Sequence, residues 1–125
     1  YDHYNQNICP DGWEVPTLKQ WQVLIEFLGG ENVAGKMMKS NEKTYWPDES
    51  LTNEFGFSAI PAGFFVKYKG YNSHHCDSLE LRAVFTVHSF NVAERNGIWI
   101  NDKSDVITRT DFGQGFYLSI RCIKK

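Results

Sequence analysis

Cys9-Pro10-Asp11-Gly12-Trp13-Glu14-Val15-Pro16-Thr17 stands near the start of this chain, and Ile120-Arg121-Cys122 answers it near the end. The first stretch is a turn that feeds a helix start: proline pre-sets φ, glycine tolerates positive φ, and threonine after Pro16 is a helix cap. The second is the end of a strand. A cysteine at each extreme points to a staple between Cys9 and Cys122 that closes the domain from first element to last. Such a bond requires an oxidising compartment. The third cysteine, Cys76, is then the odd thiol, expected to be free. A bond from Cys76 to either of the others would replace that staple.

Working outward, Thr17 and Gln20 fit a Thr-x-x-Gln capping box, and Pro16 keeps the helix from extending backwards. Leu18, Trp21, Leu24, Ile25 and Leu28 recur at helical spacing, and Gly29-Gly30 stops the run. A shorter helix over 31–38 is expected to bury Val33, Ala34, Met37 and Met38. From Lys39 to Phe55 no period holds, and Trp46-Pro47-Asp48 and Asn53-Glu54-Phe55-Gly56 carry turn chemistry, so this is a long surface excursion. Strand-like segments follow at 57–60, 64–68 and 81–88, the last with Leu81, Ala83, Phe85 and Val87 on one side. Segments 98–100 and 106–110 form a hairpin about 101–105, and 116–123 alternates as a final strand. Helices first and strands afterwards predict an α+β domain with an antiparallel sheet, a single domain over residues 1–125.

Thirteen Lys and Arg against fifteen Asp and Glu leave a formal charge of −2. That is no cationic field for nucleic acid or an anionic membrane. No apolar run reaches the length of a membrane span. Aromatic residues reach 15%; they can fill a core, but Tyr and Trp in excess also make contact surfaces. The chain begins at Tyr1 without Met, and is expected to be a mature or trimmed piece whose targeting segment lies upstream.

The opening run resembles the "CPxGWHVPT" start of the Fibrobacter succinogenes major paralogous domain. Ala34-Gly35-Lys36-Met37-Met38-Lys39-Ser40 resembles its "AGxxLKS". Trp46 follows in place, and Asn53 to Gly63 is similar to "NxxGFSALPAG". Gly115 to Lys124 is similar to "GFSVRCVKD" with a small insertion. Glu14 stands where the family pattern has histidine, Phe85-Thr86-Val87 replaces its tryptophan-serine-serine segment, and 71–79 has no counterpart. The resemblance implies a C-type-lectin-like fold: two N-terminal helices, a long loop region, and a sheet whose last strand returns beside the N-terminus. It also implies a secreted or surface-anchored protein of a Gram-negative bacterium, often a lipoprotein, with no characterised activity.

Trp99-Ile100-Asn101-Asp102 is superficially like the Trp-Asn-Asp of calcium-dependent lectins. An isoleucine interrupts it and no Glu-Pro-Asn or Gln-Pro-Asp partner exists, so the plainer reading is a strand ending in a polar turn. His74-His75-Cys76 groups zinc-type ligands, but adjacent residues rarely wrap one ion. No cofactor is expected, with calcium as the weak alternative. Asp48 with Glu49 and Asp77 with Glu80 are carboxylate pairs, usually solvated, whose separation would decide any glycosidase chemistry. Flat rings beside polar groups suit a sugar face or a peptide. The candidate ligand residues are therefore Trp46, Asp48, Tyr68, Tyr71, His74, Trp99, Asn101 and Asp102, and Trp46 has a competing reading as an anchor of its own loop. The expectation is a non-enzymatic binding or adhesion module that contacts a glycan or surface protein through its loops. A structural domain of a larger envelope protein is the alternative, and a polysaccharide hydrolase is a distant third.

Overall fold

A computed structural model describes residues 8–68, 71–75, 81–88, 96–111 and 116–125, with the backbone path alone at 66–68, 71–75 and 111. The elements run β1 (Trp13–Glu14), α1 (Leu18–Phe27), α2 (Glu31–Met38), β2 (Phe64–Tyr68), β3 (Tyr71–His75), β4 (Arg82–Thr86), β5 (Asn96–Asn101), β6 (Thr108–Asp111), β7 (Phe116–Tyr117) and β8 (Ile123–Lys124). This is an α+β fold with antiparallel strand pairing throughout its named sheets, in the orders β1-β8, β3-β2-β7 and β4-β5-β6.

Local signals set α1. The Thr17 hydroxyl accepts from the Gln20 backbone N–H at 3.3 Å, and the Gln20 side chain accepts from the Thr17 N–H at 2.9 Å. At the other end Gly29 and Gly30 take φ of 107° and 94°. Gly30 N–H donates to the Ile25 carbonyl and Gly29 N–H to that of Glu26, so two otherwise orphaned carbonyls are satisfied. Trp21, Ile25 and Leu28 are buried, with Leu18 and Leu24 packed beside them.

α2 departs from expectation. Val33 is 44% exposed, and the buried stripe is Ala34, Gly35 and Met38. The cause is the segment that crosses the helix: Gly35 N–H donates to the Asp105 carbonyl at 3.0 Å, and Ile107 N–H donates to that of Glu31 at 2.9 Å. The crossing segment meets α2 at its smallest residue, and this turns Val33 outward.

Residues 39–63 contain no helix or strand, but they are pinned. Ala59 N–H donates to the Met38 carbonyl, Ser40 N–H to that of Ala59, and the Trp46 indole N–H to the same Ala59 oxygen. The strand expected at 57–60 does not form. Asn53 holds Ser58 through its side chain, accepting from the Ser58 N–H at 3.0 Å and donating to the hydroxyl at 2.7 Å, and Ser58 sits at φ 60°. A residue held there cannot extend.

The β4–β5 pair is enclosed on both faces, while Thr108 and Arg109 of β6 are exposed. Ala83, Phe85, Ile98 and Ile100 face α1, where Trp21 meets Phe85 at 5.7 Å between ring centres. On the other face Val84 pairs in register with Trp99, and Trp99 meets Phe64 of β2 at 5.9 Å. The one-sided alternation expected for 81–88 is therefore too simple: Val84 and Thr86 are as enclosed as Ala83.

The final strand is broken among three partners. Phe116–Tyr117 pair with β2, Ser119 bridges to Phe85 in parallel, and Ile123–Lys124 pair with Trp13–Glu14. The last strand does return beside the N-terminus, and Cys9 and Cys122 are bonded across it, 5.9 Å apart at Cα. Cys76 lies outside the described residues. No helix among the described residues is long and apolar enough to cross a membrane.

Candidate functional site

Three of the residues nominated from sequence lie at one end of β5. The Trp99 indole N–H donates to Asn101 Oδ1 at 2.8 Å, and the Arg82 guanidinium sits 4.8 Å from the Trp99 ring centre. With Phe64 against it as well, Trp99 is half-buried and couples the two three-stranded sheets. Much of the ring is spent inside the protein. Asp102 follows, its N–H donating to the Leu81 carbonyl, while its Oδ1 is buried with no hydrogen-bond partner among the described residues.

Trp46 does not offer a ring to any ligand. It is 2% exposed, its N–H is taken by Ala59, and the Lys39 ammonium stands 5.3 Å from its ring centre. It is the anchor of the long excursion, because a loop of that length needs an apolar contact to fix it. Asp48 is exposed, and its carboxylate accepts from the Ser50 N–H at 2.8 Å and the Ser50 hydroxyl at 2.6 Å. Those bonds hold its pKa below the ordinary carboxylate value and commit the charge to its own turn. Tyr68 and Tyr71 stand opposite each other at the end of the β2–β3 pair, and His74 stands opposite Phe65. Their side chains, like Cys76, Asp77 and Glu80, lie outside what is described. Among the described residues no three His, Cys, Asp or Glu groups come together to hold a metal ion.

Lys39 was missed by sequence reasoning. It is 1% exposed, and its ammonium donates to the Ser104 carbonyl at 3.2 Å. Burial pushes its pKa down, opposed by the fields of Asp105, Asp48 and Asp102 and aided by Lys36. Sequence offers little signal for it beyond its place directly after Met37-Met38, where α2 ends and the chain becomes extended.

The structure forms a groove elsewhere, beside the staple. Pro16 and Gln20 come from the cap of α1, Trp21 and Leu24 from its first turns, Phe57 from the long excursion, and Arg121, Cys122 and Ile123 from the returning end. Its volume is about 210 Å³. Trp21, Phe57 and Phe85 form a ring cluster at centre distances of 6.1, 5.7 and 5.8 Å, which fixes the apolar wall. Arg121 is exposed and lies 4.4 Å from the Phe57 ring centre, and no carboxylate among the described residues is paired with its guanidinium. Trp21 is 2% exposed, and its indole N–H has no acceptor among the described residues. Gln20 is already committed to Thr17 and reaches Glu14 at 3.5 Å. The groove thus offers an apolar trough with one unspent cation at its rim. No lining group is a nucleophile with a base beside it.

The model of the Fibrobacter succinogenes major domain matches residues 1–124. This chain belongs to that family. No curated protein and no solved structure matches it. In this Fibrobacter succinogenes major domain the pattern residues hold the fold together. Cys9 and Cys122 bond, Gly29-Gly30 end α1, Gly35 admits a crossing segment, Trp46 anchors the excursion, and Asn53 clamps Ser58. The same pattern supplies the groove walls, since Pro16, Trp21, Phe57 and Arg121 all fall within it. None of the ligand candidates nominated from sequence lines this groove.

Proposed function

We propose that this domain is a non-enzymatic binding module, acting outside the cell or on the outer surface of a Gram-negative bacterium as part of a secreted or lipid-anchored protein, and that it engages a surface protein or glycan. We read its architecture as C-type-lectin-like, supported by two leading helices, a long pinned excursion and chain ends joined by β1–β8 and a disulfide. The observation that carries the binding reading is the groove itself: apolar, walled by α1, the long excursion and the returning chain end, with the Arg121 guanidinium poised on Phe57 and committed to no carboxylate among the described residues. The test is a glycan array and an immobilised panel of bacterial surface proteins and peptides, probed with the wild-type domain and with Arg121→Gln. A ligand whose signal falls in the variant supports the reading. Blank arrays, or binding indifferent to Arg121, would overturn it.

A second reading, an assembly domain of an envelope protein, has its own observation. Val23 and Phe27 on the outer face of α1 are 63% and 69% exposed, and Phe27 packs edge-on against Phe55, itself 49% exposed, at 5.3 Å. Contiguous apolar surface of this kind is found where proteins meet. Light scattering on the wild type and Phe27→Ser separates the two readings. A stable oligomer lost in the variant favours assembly, and a monomer in both removes it.

A further inference from the structure

We propose that the groove beside the staple takes the C-terminal residue of a partner polypeptide, its apolar side chain lying in the trough and its α-carboxylate held by Arg121. This rests on the binding reading above and names its occupant.

The size comes first. About 210 Å³ is below the roughly 300–1,000 Å³ of sites that enclose a whole small molecule, but it accommodates one bulky side chain. The chemistry of the wall comes second. Pro16, Trp21, Leu24, Phe57 and Ile123 present rings and aliphatic carbon, and the one polar amide among the lining groups, that of Gln20, is already bonded to Thr17. A sugar would lose its hydration there and find few donors or acceptors in exchange. An apolar side chain loses nothing of that kind.

Charge decides the remainder. Arg121 is a permanent cation whose planar fork suits a carboxylate through two parallel hydrogen bonds. Its approach to the Phe57 ring at 4.4 Å restricts its orientation, so less freedom is lost on binding. Trp21 lends the groove its ring, while its indole N–H is buried without an acceptor among the described residues and leaves the carboxylate to Arg121. The Glu14 carboxylate, beside the α1 cap, is held at the Gln20 amide. A terminal residue is the most compact chemistry that joins a carboxylate to an apolar side chain.

The experiment titrates the disulfide-intact domain with short Gly-Ser peptides ending in phenylalanine or leucine, each as the free acid and as the amide, with a serine-terminated acid as control. Binding is followed by calorimetry and by ¹H–¹⁵N NMR. The apolar free acids are expected to shift the Trp21 indole resonance and the backbone of 20–24, 57 and 121–123. Amidation is expected to weaken them about tenfold or more, the loss of a hydrogen bond to a charged group. Arg121→Gln should do the same, and Arg121→Lys should recover part of the affinity, with melting temperature lowered by no more than a few degrees, the loss of one exposed cation–π contact. Equal binding of acid and amide, or shifts that map elsewhere, would overturn the inference. If these peptides fail while an array ligand still perturbs residues 20–24 and 121–123, this occupant is wrong and the binding reading stands. If nothing perturbs the groove, both fall.

Discussion

Replacing Cys9 and Cys122 together by alanine opens a covalent loop whose ends are 113 residues apart in sequence. In the chain-entropy model a cross-link over that span removes about 16 cal/mol/K from the unfolded chain, or about 4.8 kcal/mol at 25 °C. An unfolding entropy of about 2.1 cal/mol/K per residue gives about 260 cal/mol/K for this length, so the loss converts to a fall in Tm of about 18 °C. Domains of this kind have only about 5–15 kcal/mol of stability in total, so the variant approaches its folding threshold. The folded state itself should change little. Trp13 still pairs with Lys124, and the Lys125 N–H still donates to the Gly12 carbonyl at 2.9 Å. The assay is calorimetric melting of the oxidised wild type and the double variant, with urea unfolding of both to compare m-values. A larger m-value in the variant is expected, because its unfolded chain is more open. A Tm fall under about 5 °C, just over 1 kcal/mol, with an unchanged m-value would refute the entropic account. Non-reducing peptide mapping serves as the control: a Cys76 cross-link in the wild type would refute the pairing itself.

Further outcomes follow from single contacts. Gly35→Ala would normally strengthen a helix, but a Cβ at 35 would lie 2.5 Å from the Asp105 carbonyl oxygen. Backbone must move, so the sign reverses, with a loss of about 1–3 kcal/mol by urea unfolding; a stabilised variant would contradict the close approach. Lys39 has a folded pKa below its unfolded value near 10.5, so the unfolded chain binds more protons in the interval beneath 10.5 and stability rises with pH across it. Wild type should therefore gain on Lys39→Met as pH is raised from 7 towards 10, and parallel pH curves would show that the amine titrates normally. Trp46→Phe removes the indole donor to Ala59, although that oxygen keeps the Ser40 N–H. The loss should be about 1–2 kcal/mol in a thermal melt, and a neutral result would mean the excursion is anchored elsewhere.

Much of this architecture is legible in the chain itself. Thr17 with Gln20 and Gly29-Gly30 bound α1 because caps and positive φ act within one turn. The bounds of α2 and of β2 follow from the same short-range signals. Where legibility fails, distant chain has intervened. Residues 116–123 alternate as one strand, but three different partners claim them in turn, and period alone cannot name a partner. Residues 57–60 carry strand composition, but an asparagine five residues back holds Ser58 in a left-handed conformation. Val33 reads as a core position, yet 105–107 dock on the opposite side of the helix through Gly35 and leave it outside.

Fold class, the two helices, the residues that staple the ends and the family can all be read from the chain alone. Each of these rests on local chemistry or on residue pattern. The enclosure of Lys39, the junction of two sheets at Trp99, and the groove shared by Pro16, Trp21, Phe57 and Arg121 emerge with the folded chain. Those residues come from the cap of a helix, its first turn, the middle of a long excursion and the far end of the chain. What brings them together is the closing of β8 onto β1 and the burial of the Trp21–Phe57–Phe85 rings, which are long-range events that no window of sequence contains.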